Sequence, residues 1–173
     1  MTMWIGFLLI IISLIRIPSV VIAMRNEKKI VAGGGTEYGN LNSKVLFVLQ
    51  NLIYLSCIVY AFIYDVQFNV LTVIGLVVYV FALCCLIYVI RKLSPFWTYK
   101  LYIARDHKLV QSSLFRLVRH PNYYLNIIPE LIGFALISQA WPVFVPLFIL
   151  HLITLFNRIN LEEKVMKQTF TQY

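Results

Sequence analysis

The sequence predicts an all-α fold, a polytopic membrane helix bundle of five transmembrane helices with one long cytoplasmic loop between the third and the fourth. Three observations lead there. Of 173 residues, 61% are hydrophobic and 13% charged, against about a quarter charged in a soluble domain. The apolar residues gather in five runs, with the polar ones in the connections between them. At about 20 apolar residues per crossing, the length admits about five or six spans. No soluble domain of ordinary size fits beside them, so residues 1–173 read as one integral membrane domain.

The first run, 4–24, opens without the basic segment of a signal peptide. It also exceeds the about 7–15 residues of a signal-peptide core, so a retained helix is expected. Runs at 45–64 and 70–90 supply the second and third helices. Those at 123–141 and 142–156 supply the fourth and fifth, joined by a tight hairpin at Trp141-Pro142, where proline suits a helix start. Cys57, Cys84 and Cys85 lie inside apolar runs without metal-ligand spacing and read as reduced core residues.

A net charge of +8, from fifteen Lys and Arg against seven Asp and Glu, suggests nucleic acid only until its distribution is mapped. Arg25, Lys28, Lys29 and Lys44 follow the first run, and Arg91, Lys92, Lys100, Arg105, Lys108, Arg116 and Arg119 follow the third. Arg158, Lys164 and Lys167 follow the fifth, so these fourteen share one side, while the opposite connections hold only Asp65. The positive-inside rule makes that side cytoplasmic, with the N-terminus outside and the C-terminus inside. The bilayer and its anionic lipids account for the charge, and no nucleic-acid partner is expected. An oligomer is compatible with the sequence.

Several polar residues exceed what crossing a membrane requires. The third connection, 93–122, has 30 residues and mixes Trp97, Tyr99, Tyr102, His107 and Phe115 with its basic groups, where bundle helices need about two to eight. A loop of that length lies on the interface or folds over a site. It ends in Arg119-His120-Pro121-Asn122-Tyr123-Tyr124, with Pro121 placed to open the fourth helix. In an α-helix Tyr123, Asn126 and Glu130, at i, i+3 and i+7, share a face. A carboxylate at membrane depth is costly unless paired or hydrated. Glu130 is therefore either a functional group or the partner of Arg16, the one basic residue inside the first span, beside Pro18. A second stripe runs through His151, Thr154, Arg158 and Glu162. Its Arg158–Glu162 pair at i, i+4 would be worth only a few tenths of a kcal/mol on an exposed turn.

No H-E-x-x-H, paired C-x-x-C, G-x-G-x-x-G or G-x-x-x-x-G-K-[ST] occurs, so zinc, Rossmann and P-loop chemistry lack support. Gly33 to Gly35 read as a flexible break rather than a phosphate cradle. The remaining constellation suits a small charged molecule at the membrane surface. Glu162 suits ribose hydroxyls or an ammonium group, the rings of Phe115 or Tyr123 suit an adenine or a sulfonium, and Arg158 suits a carboxylate. These residues suggest a cytoplasm-facing site for a polar cofactor beside a lipid-accessible cavity.

The run His107-Lys-Leu-Val-Gln-Ser-Ser-Leu-Phe115-Arg-Leu-Val-Arg-His120-Pro-Asn-Tyr123, followed by Arg158-Ile-Asn-Leu-Glu162-Glu163, resembles the signature of the isoprenylcysteine carboxyl methyltransferase family. These are integral membrane enzymes that use S-adenosylmethionine and release S-adenosylhomocysteine. The resemblance implies that the loop between the third and fourth helices binds the cofactor, with His107, Lys108, Leu109 and Val110 lining the site largely through backbone groups. Phe115 stands where the family often has Tyr and lacks its hydroxyl, and Ser113 replaces a usual Gly. His120, Pro121, Asn122 and Tyr123 would form the second wall, and Glu162 would bind the cofactor. Arg158 would be the catalytic residue that orients the acceptor's reacting group, with Asn126 and Glu130 also lining the acceptor site. The segment from Arg25 to Gly39, with Asn126-Ile-Ile-Pro-Glu130, resembles bacterial members, which implies a bacterial plasma membrane. Some of those methylate alkylpyrones rather than prenylated cysteine.

The implied reaction moves a methyl group to the carboxylate or acidic hydroxyl of a lipophilic small molecule or prenylated acceptor. Opposite charges are neutralised, so a partly dry site helps, and positioning can supply about 7–11 kcal/mol. A carboxylate or an acidic alkylpyrone hydroxyl needs no base, whereas a lipid alcohol would call on His120 or Glu130. Two entrances are expected, a cytoplasmic one closed by 93–122 and a lateral one between helices. Two other classes compete. A non-catalytic scaffold would use Arg16 and Glu130 as a clamp and bind no S-adenosylmethionine, and a transporter would show inverted repeats that this sequence lacks.

Overall fold

The computed structural model describes residues 3–103, 118 and 120–169. Their regular structure is helical apart from one short two-stranded ribbon. Four stretches, Trp4–Ala32, Asn40–Ile63, Val70–Leu93 and Trp141–Gln168, are long and apolar enough to cross a membrane. Phe7, Ile11, Phe47, Leu55, Val77, Phe81, Ile149 and Ile153 all point outward on them, forming a surface suited to lipid rather than water.

The first stretch runs past the expected residue 24 and is broken. Helix α1, Trp4–Leu14, stops, and α2, Ile17–Ala32, restarts after Arg16. Pro18 lies in the first turn of α2 and has no N–H for the turn before it. Hydroxyls bracket the break: Ser13 Oγ donates to the Ile10 carbonyl and Ser19 Oγ to the Arg16 carbonyl, each at 2.7 Å. The glycines that follow close α2 rather than forming the expected flexible break. Gly34 takes φ +77°, and the N–H groups of Gly34 and Gly35 return to the carbonyls of Val31 and Ile30 at 3.0 and 2.9 Å. That paired closure needs a left-handed residue, which glycine adopts without strain.

Helix α3, Asn40–Ile63, starts before its expected residue 45 and ends just before residue 64, and α4, Val70–Leu93, runs past its expected residue 90. A capping box between Asn69 and Thr72 opens α4. The expected span 123–141 differs most. A π-helical turn, Asn122–Ile127, leads into α5, Ile128–Ser138. Pro129 gives the physical reason, because it cannot donate a hydrogen bond and its ring crowds the Leu125 carbonyl. The wider turn just before it takes up the misfit.

The centre of the bundle is α5, with Leu131, Phe134, Ala135 and Ile137 fully buried. Helix α4 packs along it most extensively, and α1 and α3 cover other sides. Shielded from lipid, α5 does not need the length of its neighbours. After a tight turn at Gln139 (φ +53°), α6, Trp141–Thr169, continues well past the expected residue 156. It packs mainly on α3 instead of folding back along α5.

The ribbon pairs β1, Thr36–Tyr38, antiparallel with β2, Leu101–Ile103, setting Glu37 opposite Tyr102. Lys100 Nζ lies 2.8 Å from Glu27 and 3.5 Å from Glu37, and the Tyr102 hydroxyl bridges the same carboxylates at 2.8 and 2.9 Å. The start of the long connection is thereby fastened to the end of α2.

Where α4 meets α5 the two backbones touch at Gly75 and Gly133. A Cβ on Gly133 would sit 2.9 Å from the Gly75 carbonyl oxygen and 3.0 Å from the Tyr79 nitrogen. Gly133→Ala is therefore expected to destabilise the bundle by about 1–3 kcal/mol, read as a lower unfolding midpoint in detergent. Gly33→Ala, whose Cβ would stand 3.5 Å from its nearest neighbours, should shift that midpoint far less.

Candidate functional site

Two polar clusters contribute to one cavity of about 400 Å³. The deeper cluster is built on the α1–α2 break, which turns Arg16 into the bundle. Arg16 Nη1 lies 3.1 Å from Glu130 Oε2, with side-chain exposures of 9% and 2%, and donates to Asn126 Oδ1 at 3.3 Å. The Tyr54 hydroxyl donates to Glu130 Oε1 at 2.6 Å and accepts from Gln50 Nε2 at 2.9 Å. Asn126 Nδ2 donates to Asn122 Oδ1 at 3.1 Å. The ion pair suggested by the sequence is thus present, and it sits inside a larger hydrogen-bonded network.

The second cluster lies where α6 meets the π turn. Arg158 is buried, donating from Nη1 to Ser43 Oγ at 2.6 Å, from Nη2 to the Tyr99 carbonyl at 3.5 Å and from Nε to the Tyr123 hydroxyl at 3.4 Å. Tyr123 in turn donates to Glu162 Oε2 at 2.6 Å. The expected surface pair of Arg158 with Glu162 is therefore replaced by a relay through a phenol, because Arg158 points inward to α3. His120 lies with Nδ1 3.7 Å from Glu162 and Nε2 3.4 Å from Glu163, and its ring stacks on Tyr123 at 5.7 Å and 22°. Burial opposes a charge on His120, but the hydrogen bonds and charges of Glu162 and Glu163 outweigh it and hold its pKa above the ordinary 6.5.

Tyr123, Asn126 and Glu130 do not act as one stripe. The π turn changes the winding between them, so Tyr123 bonds to α6 while Asn126 and Glu130 bond to Arg16. Beside the clusters the cavity wall is mostly apolar, with Ile17 and Val20 on α2 and Leu46, Phe47 and Leu55 on α3, and Asn51 among them. Ile17, Phe47 and Leu55 also reach the outer surface, and α2 and α3 make little contact. The cavity wall thus continues to the lipid-facing surface between these two helices.

Of the residues singled out by sequence, His120, Pro121, Asn122, Tyr123, Arg158 and Glu162 come together, and Asn126 and Glu130 belong to the deeper cluster. His107, Lys108, Leu109, Val110 and Phe115 lie outside the described residues. Sequence reasoning missed Ser43, Gln50 and Tyr54, and it noted Tyr99 for its ring whereas its carbonyl is what Arg158 meets. Ser43, Gln50 and Tyr54 stand at i, i+7 and i+11 on α3, a polar stripe that helical spacing alone could have revealed.

This is a helical protein with a lipid-compatible exterior and an internal polar site near one end of its bundle. The chain belongs to the isoprenylcysteine carboxyl methyltransferase (ICMT) family, which it matches over residues 73–168. Membership places it in the general class of membrane methyltransferases that depend on S-adenosylmethionine. An uncharacterized protein of Haemophilus influenzae is 41% identical over 156 residues, covering 90% of this chain and 91% of the relative. The uncharacterized protein YpbQ of Bacillus subtilis is 24% identical over 173 residues, covering 95% and 96%. These relatives support an integral bacterial membrane protein. No solved structure matches the chain significantly.

The raised pKa of His120 has a stability consequence. Its pairing with Glu162 and Glu163 stabilises the fold fully below the unfolded value of about 6.5, and that contribution is lost as pH rises through the higher folded value. The unfolding midpoint of the wild type should exceed that of His120→Gln at mildly acidic pH, and the gap should close toward alkaline pH. A gap independent of pH would contradict the pairing.

Proposed function

We propose that the chain is a five-span O-methyltransferase of the bacterial plasma membrane, with the N-terminus outside and the C-terminus and site in the cytoplasm. Its acceptor is a lipophilic molecule carrying a carboxylate or an acidic hydroxyl. One observation carries this reading: a single cavity is lined by the buried Arg158 and Tyr123 and by an apolar wall that continues to the lipid-facing surface between α2 and α3. A water-soluble donor and an apolar acceptor require a site with both characters.

The donor side fits S-adenosylmethionine chemically. The Glu162 carboxylate lies beside the stacked rings of His120 and Tyr123, a set suited to a nucleoside that bears a sulfonium charge. When bound, S-adenosylmethionine supplies an electrophilic methyl group. Pro121 and Asn122 complete this wall, and His107, Lys108, Leu109, Val110 and Phe115 are proposed for the opposite one. Among the described residues Arg158 has no carboxylate within ion-pair distance and only neutral oxygens as hydrogen-bond acceptors. Its charge is therefore available to orient an anionic acceptor. Both oxygens of Glu130 are engaged by Arg16 and Tyr54, so with Asn126 it acts from behind the cavity wall, holding in place the Arg16 and Tyr54 side chains that line it. An acceptor that is already ionised matches a site arranged in this way, and both prenylcysteine carboxylates and alkylpyrones qualify.

Membranes containing the protein should transfer label from methyl-labelled S-adenosylmethionine to prenylcysteine or alkylpyrone but not to phospholipid. Base-labile label marks an ester, and base-stable label in a neutral lipid marks an ether. Arg158→Ala should lower turnover about 100-fold or more with cofactor affinity largely kept, while Glu162→Ala should lose cofactor affinity. Wild-type activity in both variants would refute the assignment, and no saturable cofactor binding by the purified protein would favour a scaffold.

A further inference from the structure

A cavity that receives an anionic acceptor needs a positive charge that nothing else has neutralised. Arg16 and Arg158 both line it, and among the described residues no carboxylate does. Arg16 is compensated from behind by Glu130. Arg158 reaches Glu162 only through the Tyr123 phenol. Of the oxygens that accept from its guanidinium, Ser43 Oγ is the nearest, 2.6 Å from Nη1, against 3.4 Å to the Tyr123 hydroxyl and 3.5 Å to the Tyr99 carbonyl.

Ser43, buried and outside the motifs that carry the family resemblance, is held so that it can only accept from Arg158. Its hydroxyl proton goes to the Gly39 carbonyl at 3.1 Å, which also receives the Ser43 backbone N–H at 3.0 Å. A hydroxyl has one proton, so lone pairs are what remain for the guanidinium. The first turn of α3 is fixed on α6 around that contact. Asn42 Nδ2 donates to the Thr154 carbonyl at 3.3 Å, one turn before Arg158, and Leu161, three residues after it, occupies the space that a Cβ on Gly39 would fill. The ribbon places the Tyr99 carbonyl from the same anchor, because Tyr38, next to Gly39, pairs with Leu101, two residues after Tyr99.

Resting on the methyltransferase reading, we propose that Ser43 is a positioning residue that makes the site selective for anionic acceptors. It seats the guanidinium with a neutral oxygen, which gives the group a direction and leaves its charge intact. A carboxylate in its place would hold Arg158 as firmly but cancel that charge. Arg158 does not need a bare surface to act, because in a partly apolar cavity Coulomb attraction extends over several ångströms. Removal of the hydroxyl would keep the charge and lose its aim, and a misplacement of about 1 Å can cost about 100-fold in rate.

The test uses the purified full chain in detergent and two pairs of probes that differ in charge: prenylcysteine with its carboxamide, and a hydroxy-alkylpyrone with its O-methyl ether. In at least one pair the wild type should bind the anion at least about tenfold more tightly than its neutral counterpart. Ser43→Asp should erase that preference, whereas Ser43→Asn, equal in size and uncharged, should keep it. Ser43→Ala should also keep it while lowering kcat about 10- to 100-fold, with the KM for S-adenosylmethionine unchanged. Equal S-adenosylmethionine binding by all four proteins checks their folding, and if Ser43→Asp does not fold, the wild-type preference and the Ser43→Ala split still decide. A wild type that binds anion and neutral counterpart alike in both pairs overturns the proposal without recourse to any variant. So does a folded Ser43→Asp variant that keeps the preference, a Ser43→Asn variant that loses it, or a Ser43→Ala variant with wild-type turnover. Preference that follows residue 43 without methyl transfer to any probe would sink the enzymatic reading and leave this anion-selecting arrangement standing. Transfer abolished by Arg158→Ala but indifferent to every change at Ser43 would do the reverse.

Discussion

The ion pair between Arg16 and Glu130 ties four parts of the chain to one point: the α1–α2 break, the middle of α3 through Tyr54, the π turn through Asn126, and α5. A lone charge at that depth is expensive enough to be avoided, so no helix in the group can be seated without the others. The kink at Pro18 allows Arg16 to turn inward, and Glu130 gives it a reason to. With these positions set, the first turns of α2 face α3 across a space that neither fills.

Beyond that clamp, polarity is graded along the bundle. The Arg16 network is closed by neutral amides and a phenol, whereas the outer cluster runs from buried Arg158 through Tyr123 to Glu162, His120, Glu163 and exposed Lys167. Tyr123 joins the cluster because the π turn points it at α6 while leaving Asn126 and Glu130 with Arg16. A regular α-helix through these residues would have put all three on one side. The irregular backbone thus lets one short segment serve both clusters.

How much of this was legible depended on the cost of each residue. Arg16 and Glu130 stand out in any apolar run because the membrane penalises them, and their pairing could be anticipated from composition. The motif residues His120, Tyr123, Arg158 and Glu162 carried the family resemblance, and the fold gathers them. Ser43, Gln50 and Tyr54 escaped notice because single hydroxyls and amides in an apolar helix cost far less than charges and draw no attention singly. The effect of Pro129 on the preceding turn was hidden because proline near a helix start usually signals only a beginning. The ribbon was invisible for a different reason, since strands of three residues have no period to read. Gly33 to Gly35 misled in the opposite direction: flexible by composition, they make a well-defined helix closure.

That ribbon also carries a rule of parity. Residues 36–38 and 101–103 can pair only if both stand on the same side of the bilayer, so the chain between them must cross it an even number of times. Helices α3 and α4 are the long apolar elements in that interval. They must therefore enter together or not at all, and a nascent chain that inserted one without the other would leave Lys100 separated from Glu27 and Glu37 by the full thickness of the membrane. The hydrogen bonds of a very small sheet thus register whether the largest hairpin of the protein has been threaded correctly.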